Sequence, residues 1–141
     1  MAYIYRQKFD LRELISDSIK PAQRILFIEV DDILYRIYCQ HFNPEGYELH
    51  RASVDSLHKK VKELEPVIIF VNIDIWSLKG NMVGIIESAI NNFPHIPFIS
   101  VARHLDGELL RDLMDAGITS HVDRDLTTPR DLVIIAKNVL I

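Results

Sequence analysis

Two apolar runs in this chain end in residues that could do chemistry. Ile25-Leu26-Phe27-Ile28 closes on Glu29-Val30-Asp31-Asp32, and Val67-Ile68-Ile69-Phe70-Val71 closes on Asn72-Ile73-Asp74. Carboxylates gathered at strand ends can hold a hard divalent cation, and Glu29, Asp31 and Asp74 are the oxygen donors within reach of such a site. The pattern weighs against it. Mg²⁺ demands near-ideal octahedral geometry. Asp31 follows Val30 directly and either faces elsewhere or caps a helix. Asp74 falls in the loop after its strand. Asn72 is neutral and offers a single carbonyl oxygen. Other chemistries have less support. His41, His50, His58, His95, His104 and His121 are scattered and form no ligand pair. Cys39, the only cysteine, falls within a helix as a small core or boundary residue. Neither Gly-x-Gly-x-x-Gly nor Gly-x-x-x-x-Gly-Lys-[Ser/Thr] occurs, and no Ser/His or Cys/His constellation is present.

The elements that must position these residues alternate. Ile25–Ile28 reads as a buried strand, and Asp31 or Asp32 caps a helix through Phe42. Asn43-Pro44-Glu45-Gly46 is a turn. Tyr47–Ala52 alternates as a strand, and Ser53 caps a helix bearing Val54, Leu57, Val61 and Leu64. Pro66 opens a third strand, Val67–Asn72. Met82, Val83, Ile85, Ile86, Ala89 and Ile90 mark a helix within 78–92. Pro97 precedes the strand Phe98–Ala102, and a helix from about Asp106 to Asp115 stops at Gly117. Ser120–Asp123 is a short fifth strand. Thr128-Pro129 starts the last helix. This (βα)₅ order, with mostly continuous apolar strands, predicts a doubly wound parallel sheet with helices on both faces. Its strand order would be the flavodoxin-like 2-1-3-4-5, with the site at the carboxyl ends of strands 1 and 3.

A chain of 141 residues fits one domain with a sizeable core. A net charge of −4 without a long run of either sign leaves no electrostatic footprint for nucleic acid. The longest apolar run is far short of the roughly 20 residues that span a bilayer, and Arg6, Lys8 and Asp10 interrupt anything like a secretory signal. A lone cysteine rules out an internal disulfide and makes a reducing cytoplasm the default.

Four segments in order carry a resemblance. Arg24–Glu29 forms a first strand closing on an acid. Pro66 lies six residues before Asn72, and Gly80 eight after it. Pro97–Ala102 forms a fourth strand, and Ala116-Gly117-Ile118 precedes His121-Val122-Asp123-Arg124. Residues 24–141 thus resemble a receiver domain of the two-component response-regulator family, with residues 1–23 as a partly helical leader. The resemblance implies a phospho-acceptor aspartate at 72, a second acid at 30, a hydroxyl at 102 and a lysine at 124. Here those positions hold Asn72, Val30, Ala102 and Arg124, and only Glu29 keeps the expected acid. Asp125 and Trp76 replace prolines, and His121 stands where the family carries an aromatic that rotates inward on activation.

The resemblance therefore implies a degenerate pseudo-receiver. It would be a cytoplasmic interaction module of bacterial signal transduction, not an enzyme, with no cofactor and no expected Mg²⁺ binding. Its partner would be a histidine kinase or another signalling protein, or a second copy in a homodimer, with no nucleic acid and no membrane. Two alternatives stay open: a phospho-accepting regulator using Asp74, and a small ligand-binding α/β protein. Three site details are expected as well. Glu29 and Arg124 would pair across the pocket. Trp76, with Leu78, forms either a contact patch or a cover over the third helix. His121 is a candidate pH-responsive group. Phe9–Ile15 in the leader resembles the stretch that joins the dimerisation helices of sensor histidine kinases to their ATP-binding domain. As a helix, the leader would pack on the domain or dimerise.

Overall fold

The computed structural model describes residues 22–76 and 81–141. The leader up to residue 21, Leu78, Gly80 and the side chain of Trp76 lie outside the described residues, and with them the expectations placed there.

Five parallel strands run β1 (Gln23–Ile28), β2 (Tyr47–Ala52), β3 (Ile68–Asn72), β4 (Phe98–Ala102) and β5 (Ser120–Asp123), in the order β2-β1-β3-β4-β5. The helices between them are α1 (Asp32–Phe42), α2 (Leu57–Leu64), α3 (Met82–Asn92), α4 (Gly107–Ala116) and α5 (Pro129–Val139), with a one-turn helix at Ile73–Trp76. The sheet is therefore the doubly wound flavodoxin-like one expected from the alternation of runs. Its interior strands are largely apolar because helices cover both faces; Gln23 and Arg24 lie exposed at the start of β1, and Asn72 and Ser100 are the buried polar residues of β3 and β4. All five residues of β3 and all five of β4 are buried.

Period-2 alternation divides the core in two. Leu26, Ile28, Ile69, Val71, Phe98 and Ala102 point toward α2, α3 and α4, against Leu57, Val61, Ile86 and Leu113. Ile25, Phe27, Ile68, Phe70, Ile99 and Val101 point toward α1 and α5, against Tyr38, Phe42, Leu132 and Ala136. Phe27 stacks on Phe70 with centroids 4.9 Å apart, and Phe42 meets both rings edge-on.

Local signals set the element ends. Asp31 caps α1, its carboxylate accepting the Leu34 N–H at 2.8 Å, which fixes it at the helix rather than in a metal site. Thr128 and Asp131 form a reciprocal capping box on α5, with Pro129 at the first helical position. Gly117 ends α4 at φ 107°, a conformation that suits a residue without Cβ. The second helix departs from expectation. Ser53 makes no side-chain cap bond; a 3₁₀ turn over Val54–Ser56 comes first, and α2 begins only at Leu57. Ser53 Oγ lies 3.4 Å from Ser56 Oγ, so the hydroxyl serves the turn instead.

Phe70, at 1% exposure, is the hinge of the α1–α5 half of the core. Phe70→Ala should cost roughly 3–5 kcal/mol in chemical denaturation, the usual range for a buried phenylalanine that leaves a cavity. A loss below about 1 kcal/mol would mean that the aromatic cluster is not packed as described.

Candidate functional site

The site lies where the carboxyl ends of β1, β3, β4 and β5 converge. Asn72 closes β3 and is 7% exposed. Its Oδ1 accepts the backbone N–H of Asp74 at 3.3 Å, a side-chain-closed turn that starts the helix at Ile73. Asp74 therefore sits on a helical turn, not in an open loop as the spacing suggested.

Asp74 is the hub. One carboxylate oxygen accepts the Arg103 N–H, just beyond β4, at 2.9 Å, and the other lies 3.1 Å from Nη2 of Arg124, just beyond β5. The two side chains are only 26% and 21% exposed, so this pair is screened less than a surface ion pair. Arg124 thus reaches Asp74, an acid that the sequence offered as an alternative phospho-acceptor. Arg124 Nε is buried and has no hydrogen-bond partner among the described residues.

A second layer of charge surrounds the hub. Asp125 takes Arg103 Nε at 3.0 Å and His104 Nε2 at 3.3 Å, while Asp123 accepts the Asp125 N–H at 2.9 Å. Two non-glycine residues here have left-handed backbones: Glu29 at φ 59° and His104 at φ 48°. Such conformations cost on the order of 1–2 kcal/mol each. The Glu29 N–H donates to Ala52 O at 3.0 Å, and the bend at His104 directly follows the amide that Arg103 gives to Asp74.

The donor chemistry does not fit Mg²⁺. Val30 is half-buried beside a void of about 10 Å³ lined by Phe27, Leu34, Tyr38, Phe70 and Val101, and it brings no oxygen. The Asn72 oxygen is taken by an amide and the Asp74 carboxylate faces a guanidinium, whereas Mg²⁺ is held by carboxylates and water. Among the described residues no three Asp, Glu, His or Cys side chains cluster closely enough to hold a metal. Ala102, at the end of β4, is 1% exposed and supplies no hydroxyl.

One more polar pair lies on the α2–α4 side of the sheet. Ser100 Oγ, with no exposure, is 2.7 Å from His121 Nδ1 on the neighbouring strand. Burial pushes the His121 pKa below its ordinary 6.5, and the carboxylates of Asp123 and Asp74 oppose that shift. Tyr38, nearby in the α1 layer, is pushed up by burial, with the Arg124 charge opposing.

Arg124 and Asn72 were singled out from sequence as separate positions, and Asp74 as an alternative acid. The structure brings all three together. Arg103 and Ser100 were missed. The only sequence signal for Arg103 was a cation immediately after a buried strand.

With this geometry in view, similar solved structures decide the architecture. A response regulator from Thermotoga maritima matches with a TM-score of 0.73, at 12% identity, over 84% of this chain and 98% of that one. The fold is that of a response-regulator receiver domain. An orphan response regulator of H. pylori matches the receiver fold at 0.75 and 13% identity, over 86% and 99% of the two chains. A CheY-like receiver domain protein from Methanospirillum hungatei JF-1 matches at 0.72 and 22% identity, over 84% and 93%. No protein-family model and no curated protein matches the sequence. The receiver fold thus carries, at the strand ends where its chemistry would lie, an amide, an alanine and an arginine already facing an internal acid.

Asp74→Asn and Arg124→Met should show a coupling of roughly 1–2 kcal/mol in a double-mutant cycle of urea denaturation, the range for contacting polar residues. Strict additivity would reject the ion pair. His121 should titrate below 6.5 by NMR. Because its folded pKa is depressed, its stability contribution is fully present above the unfolded value and is lost as pH falls through the folded one. The stability difference between the wild type and His121→Gln should therefore shift against the wild type over that window, and a pH-independent difference would contradict the assignment.

Proposed function

We propose that this protein is a pseudo-receiver: a non-enzymatic interaction module in cytoplasmic bacterial signal transduction that works without phosphoryl transfer. The observation that carries this reading is the Asp74 carboxylate held by the Arg103 amide and the Arg124 guanidinium. In a receiver, added negative charge at the pocket is what shifts the population between two states. Here an internal carboxylate already faces the cation at the position matching the receiver lysine. The ends of β3, β4 and β5 are joined without any added group. The neutral Asn72 and the missing oxygen at Val30 agree with this reading.

Output is then through association with a signalling protein, a histidine kinase among them, or with a second copy of the chain. No helix among the described residues is long and apolar enough to cross a membrane. A phospho-accepting regulator using Asp74 would need a carboxylate oxygen released from the Arg103 amide or the Arg124 guanidinium before attack. A small molecule would not fit the void of about 10 Å³ beside Asn72 and Val30; its place would be the neighbouring cleft of about 770 Å³ lined by Asp31, Tyr38, Arg103 and Arg124.

Incubation with acetyl phosphate and Mg²⁺, followed by intact-mass spectrometry, should leave the protein unmodified. A phosphoryl adduct that disappears in Asp74→Asn would overturn the proposal in favour of an Asp74 acceptor. An adduct that appears only in Asn72→Asp would support it, showing that position 72 is where the chemistry was lost.

A further inference from the structure

The opposite end of the sheet holds a groove of about 710 Å³. It opens where the carboxyl ends of α2, α3 and α5 meet, and Val61, Pro66, Val67, Phe93, Ile96 and Leu140 form its apolar walls. α2 and α3 belong to one helical layer and α5 to the other, so the groove is a seam between layers.

The chain enters the domain beside this seam. Arg24 O accepts the N–H of Val67, a wall residue, at 2.8 Å, and the Arg24 guanidinium donates to Leu64 O at 3.2 Å. Ile19 is three residues before Ala22, so an extended link confines it within about 10 Å of that point. The sequence of residues 9–19 predicts an amphipathic helix. Phe9, Leu11, Leu14, Ile15 and Ile19 recur at mostly helical spacing: Leu11, Leu14, Ile15 and Ile19 share one side, with Asp10, Glu13 and Asp17 away from it and Phe9 opposite. Pro21 ends the pattern just ahead of β1.

We propose that residues 9–19 dock their apolar stripe into the groove of their own chain and strap the two helical layers together. Three facts point to this occupant: the seam is mostly apolar, with Lys62, Glu65 and His95 completing its lining, the tether ends at its wall, and the tethered segment carries an apolar stripe. A tether this short sets an effective concentration in the millimolar range, well above that of a freely diffusing partner. The docking site is remote from Asp74 and does not depend on the functional reading above.

The test uses the full chain with Cys39→Ala and a nitroxide on His95→Cys, an exposed position on the rim of the groove. Amide NMR signals of residues 9–19 should be lost to the nitroxide and retained when the label is moved to Glu108→Cys, an exposed residue in the first turn of α4. Adding Leu14→Asp and Ile15→Asp should restore the signals while those of the domain keep their positions. Signals that survive the His95→Cys label would overturn the proposal. So would signals that remain lost after the two aspartates are added. Loss between an isotope-labelled chain and a separate nitroxide-labelled chain would reject self-docking in favour of a second copy.

Discussion

The Asp74 carboxylate takes an N–H from the end of β4 and faces a guanidinium from the end of β5, while its own backbone is tied to the Asn72 amide at the end of β3. Three neighbouring strands thus converge on one negative charge. Parallel strands end with no hairpin to join them, so their carboxyl ends must be held by contacts across the loops. In this fold those contacts are ionic and amide hydrogen bonds, partly buried, where each is worth more than it would be in open water. An outer, largely solvent-exposed ring of Arg103, His104, Asp125 and Asp123 surrounds these contacts. The left-handed backbone at His104 is tolerated in a loop whose amide is fixed this firmly.

Much of the fold was legible because its causes are local and periodic. Continuous apolar strands such as Ile68–Val71 can only be buried on both faces, and Thr128-Pro129 and Gly117 mark helix ends through bonds and dihedrals within a few residues. Ser53 shows where this fails. Its type suits a cap, but the local chain took a 3₁₀ turn first, a choice between two short-range bonds of similar strength. The site was legible only in part. That Asn72, Ala102 and Arg124 share one edge follows from strand order. Which acid Arg124 reaches depends on loop paths and side-chain length, and no periodicity encodes those. Asp74 became its partner because the Asn72 turn folds residues 73–76 into a helix, and Arg103 entered through its backbone, where side-chain type gives no signal.

The two faces of the sheet are chemically unequal. The α1–α5 side is an aromatic cluster of Phe27, Tyr38, Phe42 and Phe70. The α2–α4 side is mostly aliphatic but contains the Ser100–His121 hydrogen bond near the outer strand. A buried hydroxyl whose partner is a titratable ring makes the β4–β5 margin the polar weak point of a core that is otherwise apolar.

The Arg103–Asp74 bond joins residues 29 positions apart and needs β3 and β4 already side by side. Such a contact cannot form before those two strands pair. An interaction absent from the folding transition state leaves the folding rate nearly unchanged and acts on the rate of unfolding. Removing the charge at Asp74 is therefore expected to speed unfolding more than it slows folding.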